Sequence, residues 1–367
     1  MRAIVRSILD GALKVPGLRA KLMATDMAVA RLKHSAAARW PSVIRLDPRN
    51  LTVAITSACN LRCIGCNYGR GFMHGHQLSL PMVRDLLDDA KTCGFRSVRL
   101  YGGEPLIHPD LPEMVRYGTD IGLRIYVTTN GILLNRHMDT LYQAGLRDVT
   151  IGFYGTDASY DEYVQKPGRF DLLRQSIEGV RRRYGNTIDL RLNWLLMRPT
   201  CNSKALHEVM TFAETFSMAI QVDLIHYSLP YFNEGPEREL QFRPEDRPAI
   251  EHIVRQLLQV KSKTPARLSQ SEAGLRSIPE WLIKGSDMKV PCDKYQMIWV
   301  GADGTVQLCY VTFGLGNLHQ HRLRELLFSP EHYKASQDCF QLNCSNCHCG
   351  YDSRVQKHAA TLRRFNS

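Results

Sequence analysis

Cys59-Asn-Leu-Arg-Cys63-Ile-Gly-Cys66 is the stretch whose reading governs the rest of this chain. It follows an apolar, strand-like run from Leu51 to Thr56, which puts the three thiols on a loop at a strand's carboxyl end. A buried structural cysteine has no reason to recur at four- and three-residue spacing, whereas thiolates that share one metal centre must lie close together. A structural zinc site or an ordinary four-iron cluster is closed by four protein ligands, so three thiols leave one metal position open to another molecule. The competing reading is zinc, or a four-cysteine cluster completed by a distant thiol.

Downstream, Val98 to Leu100 forms a short apolar strand that ends in Tyr101-Gly102-Gly103-Glu104-Pro105. Two glycines at a strand end let backbone approach a ligand closely, and the carboxylate that follows can take a ligand ammonium group. Strand-like and helical runs alternate from 51 to about 229. Strands are expected over 51–56, 97–101, 124–129, 148–154, 187–197 and 219–227, and helices over 79–93, 111–121, 135–144, 169–184 and 203–217. This alternation predicts an α/β fold with a parallel sheet and right-handed crossovers, whose chemistry gathers at the strands' carboxyl ends. On the third strand Tyr126, Thr128 and Asn130 share a face, and on the fifth Arg191, Asn193 and Leu195 do. Polar residues on buried strands need partners, so Asn130, Arg191 and Asn193 are candidate cofactor contacts, with Asp223, His226 and Tyr227 near the sixth strand's end as further candidates.

The three-cysteine loop, the Gly102 to Pro105 motif and the strand-helix alternation around both make the chain resemble the radical S-adenosylmethionine superfamily. The resemblance implies an incomplete (β/α)6 barrel. It also implies that Cys59, Cys63 and Cys66 hold a [4Fe-4S] cluster whose fourth iron is chelated by S-adenosylmethionine, with Gly102, Gly103 and Glu104 along the methionine amino group and Pro105 of the same motif in the cofactor site. One electron would cleave the sulfonium to methionine and a 5'-deoxyadenosyl radical that abstracts hydrogen from an unactivated carbon, with a flavodoxin or ferredoxin as reducing partner. Two positions depart from the family pattern. Gly65 stands where an aromatic residue commonly precedes the third cysteine, and Ile151-Gly152-Phe153-Tyr154-Gly155 lacks the usual Ser and Asp, so no ribose contact is carried over.

Six more cysteines, at 292, 309, 339, 344, 347 and 349, lie in a small C-terminal stretch that begins with a hairpin, Met297 to Val300 and Thr305 to Cys309, around Asp303-Gly304. A helix is expected near 321–336. The stretch resembles the SPASM/twitch modules that follow such barrels, with Gly304-x4-Cys309 matching their Gly-x4-Cys element. The resemblance implies one auxiliary [4Fe-4S] cluster, with Cys292, Cys309, Cys344 and Cys347 as preferred ligands and Cys339 and Cys349 in reserve as ligand or hydrogen donor. Zinc remains the alternative, because Cys344-x2-Cys347 also suits a tetrahedral ion. The isolated Cys93 and Cys201 read as small buried hydrophobes.

Composition is ordinary for a globular protein, 44% hydrophobic and 23% charged over 367 residues, and excludes a disordered chain or a small disulfide-stapled module. Five segments are expected: a basic helical segment 1–48, the barrel 49–232, a helical bridge 233–288, the cysteine-rich module 289–352 and a basic tail 353–367. The net +11 sits at the ends, +7 on residues 1–45 and +4 on 353–367, while 46–352 is balanced; this argues against nucleic acid as the partner of the central fold. Residues 1–15 have helical apolar spacing with a basic face, which suits either packing on the barrel or an anionic membrane surface. With no long apolar span and no secretory signal, the expected location is cytoplasmic, with peripheral membrane contact in view. Substrates from peptide, lipid, sugar and small-metabolite classes stay open. The rival function is a non-catalytic iron-sulfur or zinc protein whose basic ends bind nucleic acid or an anionic membrane.

Overall fold

Six apolar runs form parallel strands close to their expected bounds: β1 (Asn50–Thr56), β2 (Ser97–Gly102), β3 (Arg124–Thr129), β4 (Asp148–Phe153), β5 (Asp189–Leu196) and β6 (Ala219–Leu224). This computed structural model describes residues 16–226, 239–309 and 312–358; the readings placed on residues 1–15, Tyr227 and 359–367 lie outside them. An N-terminal helix, α1 (Pro16–Ala37), precedes the barrel. Its crossover helices are α2 (Leu80–Thr92), α3 (Leu111–Asp120), α4 (Leu134–Gln143), α5 (Asp157–Val164), α6 (Arg169–Tyr184) and α7 (Ser203–Thr215). Their starts follow from local chemistry: Ser79 accepts from the Met82 N–H and Asn202 from the Ala205 N–H, each satisfying an orphan donor of the first turn. Helix α5 was not expected, because eight residues rich in polar and aromatic side chains carry little apolar periodicity.

Alternation decides what each strand contributes. On β3, Ile125, Val127 and Thr129 are buried while Tyr126 and Thr128 are half-buried, and on β2 Val98 and Leu100 are buried while Arg99 and Tyr101 are not. Cross-strand pairing puts Arg99 beside Tyr126, and its Nε donates to Thr128 Oγ1 at 2.8 Å. One face of the sheet is thus apolar and the other carries polar side chains.

The hairpin expected at the start of a separate module instead extends the barrel sheet. β7 (Met297–Val300) pairs parallel to β1, and β8 (Thr305–Gln307) and β9 (Gly314–Asn317) continue antiparallel, giving one nine-stranded sheet in the order β6-β5-β4-β3-β2-β1-β7-β8-β9. Without β7, one edge of β1 would present unpaired backbone groups; all four β7 residues are buried there. Between barrel and hairpin lie α8 (Arg247–Lys263) and α9 (Glu272–Lys284). The helix expected over 321–336 is two helices, α10 (Leu323–Leu326) and α11 (Pro330–Gln341). Phe328 takes a left-handed φ of 63° and Ser329 caps the second of them. The described chain ends in α12 (Tyr351–His358). Among the described residues no helix is long and apolar enough to cross a membrane.

Helices α1 and α12 are joined by a buried histidine pair. His34 Nδ1 lies 2.7 Å from His358 Nε2, with the Tyr295 hydroxyl 3.3 Å from His34 Nε2 and the buried Asp293–Lys357 ion pair, 2.5 Å, beside them. Burial is the main cause that depresses both rings from the ordinary 6.5, His34 to about 4 and His358 to about 3. Both are neutral when folded, whereas the unfolded chain takes up protons below pH 6.5. The stability they contribute is therefore complete above that pH and is lost as pH falls toward 4, by about 1.4 kcal/mol per ring per pH unit. The urea midpoint is expected to drop between pH 7 and pH 5, and less so in His34→Phe; parallel pH profiles would refute this.

Candidate metal centres

The loop after β1 is tied down on three sides. Its far end returns to the strand through Ser57 N–H to His76 O and Leu78 N–H to Ile55 O, both 2.9 Å. Its cysteine segment is pinned to α5 by Arg62 N–H to Val164 O at 3.3 Å and Ile64 N–H to Tyr163 O at 2.9 Å. Cys59 keeps an exposed side chain at the rim, while Cys63 and Cys66 are half-buried. Enough protein surrounds the three that desolvation raises each thiol, Cys59 to about 12 and Cys63 well above its ordinary value. Each also feels a neighbouring thiol of the trio or the guanidinium of Arg70, which opposes the rise at Cys63 and Cys66.

Sequence reasoning did not find the aromatic wall beside them. Tyr154 stacks on Tyr163 at 4.4 Å, and Tyr160 is fully buried with a hydroxyl that makes no hydrogen bond. All three phenols are raised, first by burial and next by Cys63, so they stay neutral. The signal was available as Tyr160-x2-Tyr163, one helical face, but only the position of α5 gives it meaning.

Gly102 and Gly103, expected to let backbone approach a ligand, also let the chain's own backbone approach closely. A Cβ on Gly102, whose φ is +145°, would stand 2.2 Å from Thr56 O, and one on Gly103 would stand 2.3 Å from Ala58 O. Gly103 N–H donates to Thr56 O at 2.8 Å and Glu104 N–H to Ala58 O at 2.7 Å, which locks the end of β2 onto the approach to Cys59. Glu104 is fully buried: Oε1 accepts from Leu106 N–H and the Thr129 hydroxyl, and Oε2 accepts from Asn130 N–H. Burial still raises its carboxyl to about 6. A carboxylate has about four acceptor positions, so about one remains for an outside donor such as an ammonium group. Pro105 opens a short 3-10 turn behind it. Asn130 Nδ2 donates to Asn60 Oδ1 at 2.7 Å, which brings the end of β3 to the same loop.

Arg191 does not join this group, a correction to its nomination. It lies near the amino end of β5, paired with Asp148 at 3.5 Å and with Asp189, because the start of β4 and the start of β5 itself supply the two carboxylates. Asn193, two residues nearer the carboxyl end, donates to Asp223 Oδ2 at 2.9 Å and leaves a buried, unpartnered Oδ1.

All six C-terminal cysteines line one cavity, with Lys294, Thr312, Phe313, Asn346 and Arg354. In two thiol pairs a hydrogen bond favours one thiolate: Cys339 lowers Cys292, and Cys349 lowers Cys347 to about 5. Cys349 also lies 4.0 Å from His226 Nδ1, whose ring stacks on His348 at 4.7 Å, so the cavity abuts the end of β6. Among the described residues no three Cys, His, Asp or Glu side chains converge on one ion-sized point. Arg354, one of the bases of the expected 353–367 tail, is no part of an exposed segment. It is fully buried, stacks over Trp281 at 4.7 Å and donates to Cys347 O and Val290 O, because α12 turns it under the cavity.

Comparison with known proteins agrees with this layout. Residues 53–193 match the Radical SAM superfamily, and residues 292–349 match an iron-sulfur cluster-binding domain. An AdoMet-dependent heme synthase of Methanosarcina barkeri is 25% identical over 338 residues, 86% of this chain and 93% of that protein. A GTP 3',8-cyclase of Chlorobaculum tepidum is 32% identical over 167 residues, 44% of this chain and 48% of that one, so the chain spans about half the cyclase. In fold, the chain is similar to native anSMEcpe with bound AdoMet, TM-score 0.62 at 15% identity, covering 87% of this chain and 98% of that one. It is also similar to Streptococcus suis SuiB bound to its precursor peptide SuiA, TM-score 0.61 at 15% identity, covering 83% and 70%. The non-catalytic alternative is thereby set aside. The chain is a radical S-adenosylmethionine superfamily enzyme with a C-terminal iron-sulfur cluster-binding domain, in a class that works with a [4Fe-4S] cluster, S-adenosylmethionine and auxiliary iron-sulfur centres.

Proposed function

We propose that Cys59, Cys63 and Cys66 hold the [4Fe-4S] cluster that binds S-adenosylmethionine, and that the enzyme abstracts hydrogen from an unactivated carbon of a peptide, lipid, sugar or small-metabolite substrate. The observation that carries this is the junction of three strand ends: backbone bonds from Gly103 and Glu104 and the Asn130 to Asn60 bond fasten the Gly-Gly-Glu-Pro turn to the cysteine loop. The thiol set fits the group, three thiols on a loop with no fourth cysteine in it. When bound, the cluster and cofactor supply reductive cleavage to methionine and a 5'-deoxyadenosyl radical. The chain's own part is to hold and orient. Glu104 offers its remaining acceptor position to the methionine ammonium, Gly102 and Pro105 set the turn's course, and the buried Tyr160 and Tyr163 with the half-buried Tyr154 exclude water beside Cys63. The unpartnered Asn193 Oδ1 is a further cofactor or substrate contact.

Cys292, Cys309, Cys344 and Cys347 are the auxiliary ligands we favour, because all four line the one C-terminal cavity and come from separate segments that close around it. The heme synthase and the cyclase carry different names for what they make, so the shared ground is cofactor chemistry rather than substrate. A flavodoxin or ferredoxin is the reductant of matching chemistry. Anaerobically reconstituted protein with dithionite should release 5'-deoxyadenosine from S-adenosylmethionine, and none from a cluster-loaded sample would sink the reading.

A peripheral membrane contact is also supported. Val29, Leu32, Trp40 and Val43 are half of the eight exposed large hydrophobics among the described residues, with Leu32 73% and Trp40 61% exposed. Lys21, Lys33, Arg39 and Arg45 of the same segment are exposed as well. Bases near an anionic lipid surface contribute about 1 kcal/mol each, and tryptophan favours the interface. The full chain should co-sediment with phosphatidylglycerol vesicles, and the Leu32→Ser/Trp40→Ser double variant should not. Equal sedimentation of both would overturn the contact.

A further inference from the structure

The two cysteine sites share a feature at one spacing. Arg70 follows Cys63 by seven residues and donates to its carbonyl oxygen, and Arg354 follows Cys347 by seven and does the same. Neither sits on a freely moving surface. Around Arg70 the chain makes a tight turn: Arg70 N–H donates to Asn67 O at 3.0 Å, Gly69 N–H to Phe72 O at 2.7 Å and Gly71 N–H to Asn67 Oδ1 at 3.0 Å. Gly69 needs its left-handed φ of +73°, and a Cβ there would stand 2.1 Å from Ser57 O, so the turn is pressed against the same backbone that leads to Cys59. Arg354 is held from α12 by Cys347 O, Val290 O, Asn346 Oδ1 and the Trp281 ring.

Each guanidinium is a fixed positive charge beside one group of thiols. Arg70 reaches the carbonyl of Cys63 between the other two thiols of its loop, and Arg354 reaches the carbonyl of Cys347 and lines the cavity that all six C-terminal thiols share. A cluster held by thiolates gains one further negative charge when it takes up one electron. A fixed cation therefore stabilises the reduced form more than the oxidised one, the more so where protein replaces water. Hydrogen bonding to a carbonyl needs only an N–H; a lysine or glutamine could make it. The fixed positive charge is what arginine and lysine share and glutamine lacks.

We propose that Arg70 and Arg354 are positioning residues that each raise the reduction potential of the iron-sulfur cluster in their own site, so that the two clusters are set independently. This rests on the function proposed above. The test is a potentiometric titration followed by electron paramagnetic resonance on cluster-loaded full-length protein, wild type against Arg70→Gln and Arg70→Lys. The cluster whose signal changes on adding S-adenosylmethionine is expected to titrate at a lower potential in Arg70→Gln and near the wild-type value in Arg70→Lys, with the second cluster unmoved in both. An unchanged first potential, a shift of both clusters, or equal shifts in Gln and Lys overturns the proposal. If Arg70→Gln loads no iron, full loading of Arg70→Lys supports a role for the charge, and loss in both assigns the residue to holding the loop and overturns it. The wild-type response to S-adenosylmethionine is read in the same samples and reports separately on the proposed function.

Discussion

Cys63→Ala protein, reconstituted under the same conditions as wild type, is expected to release 5'-deoxyadenosine only at the level of a cluster-free sample. The loss should exceed the roughly 100-fold that removal of a supporting residue around a metal costs, because a ligand itself is gone. Its fold should survive, since the loop is fastened by backbone: Cys63 contributes its carbonyl to Cys66 N–H and to Arg70, and alanine keeps that carbonyl. Circular dichroism and the urea midpoint near those of wild type would therefore accompany the lost release. Undiminished release from Cys63→Ala would remove the cysteine loop from the chemistry.

Cys347→Ser is expected to act differently. Iron should fall from about eight to about four per chain if each site holds a four-iron cluster. Release of 5'-deoxyadenosine without substrate should persist, because the cysteine loop after β1 is anchored by α5 and the end of β2 rather than by the C-terminal cavity. Serine at 347 keeps the carbonyl that Arg354 uses, so the substitution removes the thiol and little else. Cys349→Ser is the companion, since these two thiols form a pair. Iron halved by Cys349→Ser and not by Cys347→Ser would move the ligand to the reserve position, and iron lost entirely in Cys347→Ser would show that the two sites do not load independently.

What could be read from the chain and what could not separates by range of interaction. The six strands were legible because apolar runs bounded by turns are a local pattern, and the two cysteine groups were legible because close spacing is itself the signal. Arg191 and Asn193 looked equivalent on one strand face, yet Arg191 sits where the starts of β4 and β5 present Asp148 and Asp189, while Asn193 sits further along, beside Asp223 of β6. Arg354 counted as one of four bases in a tail, and only the docking of α12 against α9 buries it. Tyr154, Tyr160 and Tyr163 gave no local sign of standing beside Cys63, because the contact joins segments almost a hundred residues apart.

The sequence by itself determined the parts of this enzyme: a parallel α/β core, three thiols on the loop after β1, a Gly-Gly-Glu-Pro turn after β2 and a second group of six thiols. Each is a property of neighbouring residues. Tertiary structure decided how they are joined. It seated β7 on the open edge of β1, pressed Gly102 and Gly103 against the backbone before Cys59, gathered six thiols on one cavity and placed one arginine beside each cysteine group. The physical reason is that edge pairing, backbone contact and burial of charge are satisfied only by partners distant in sequence, and periodicity carries no information about which partners those are.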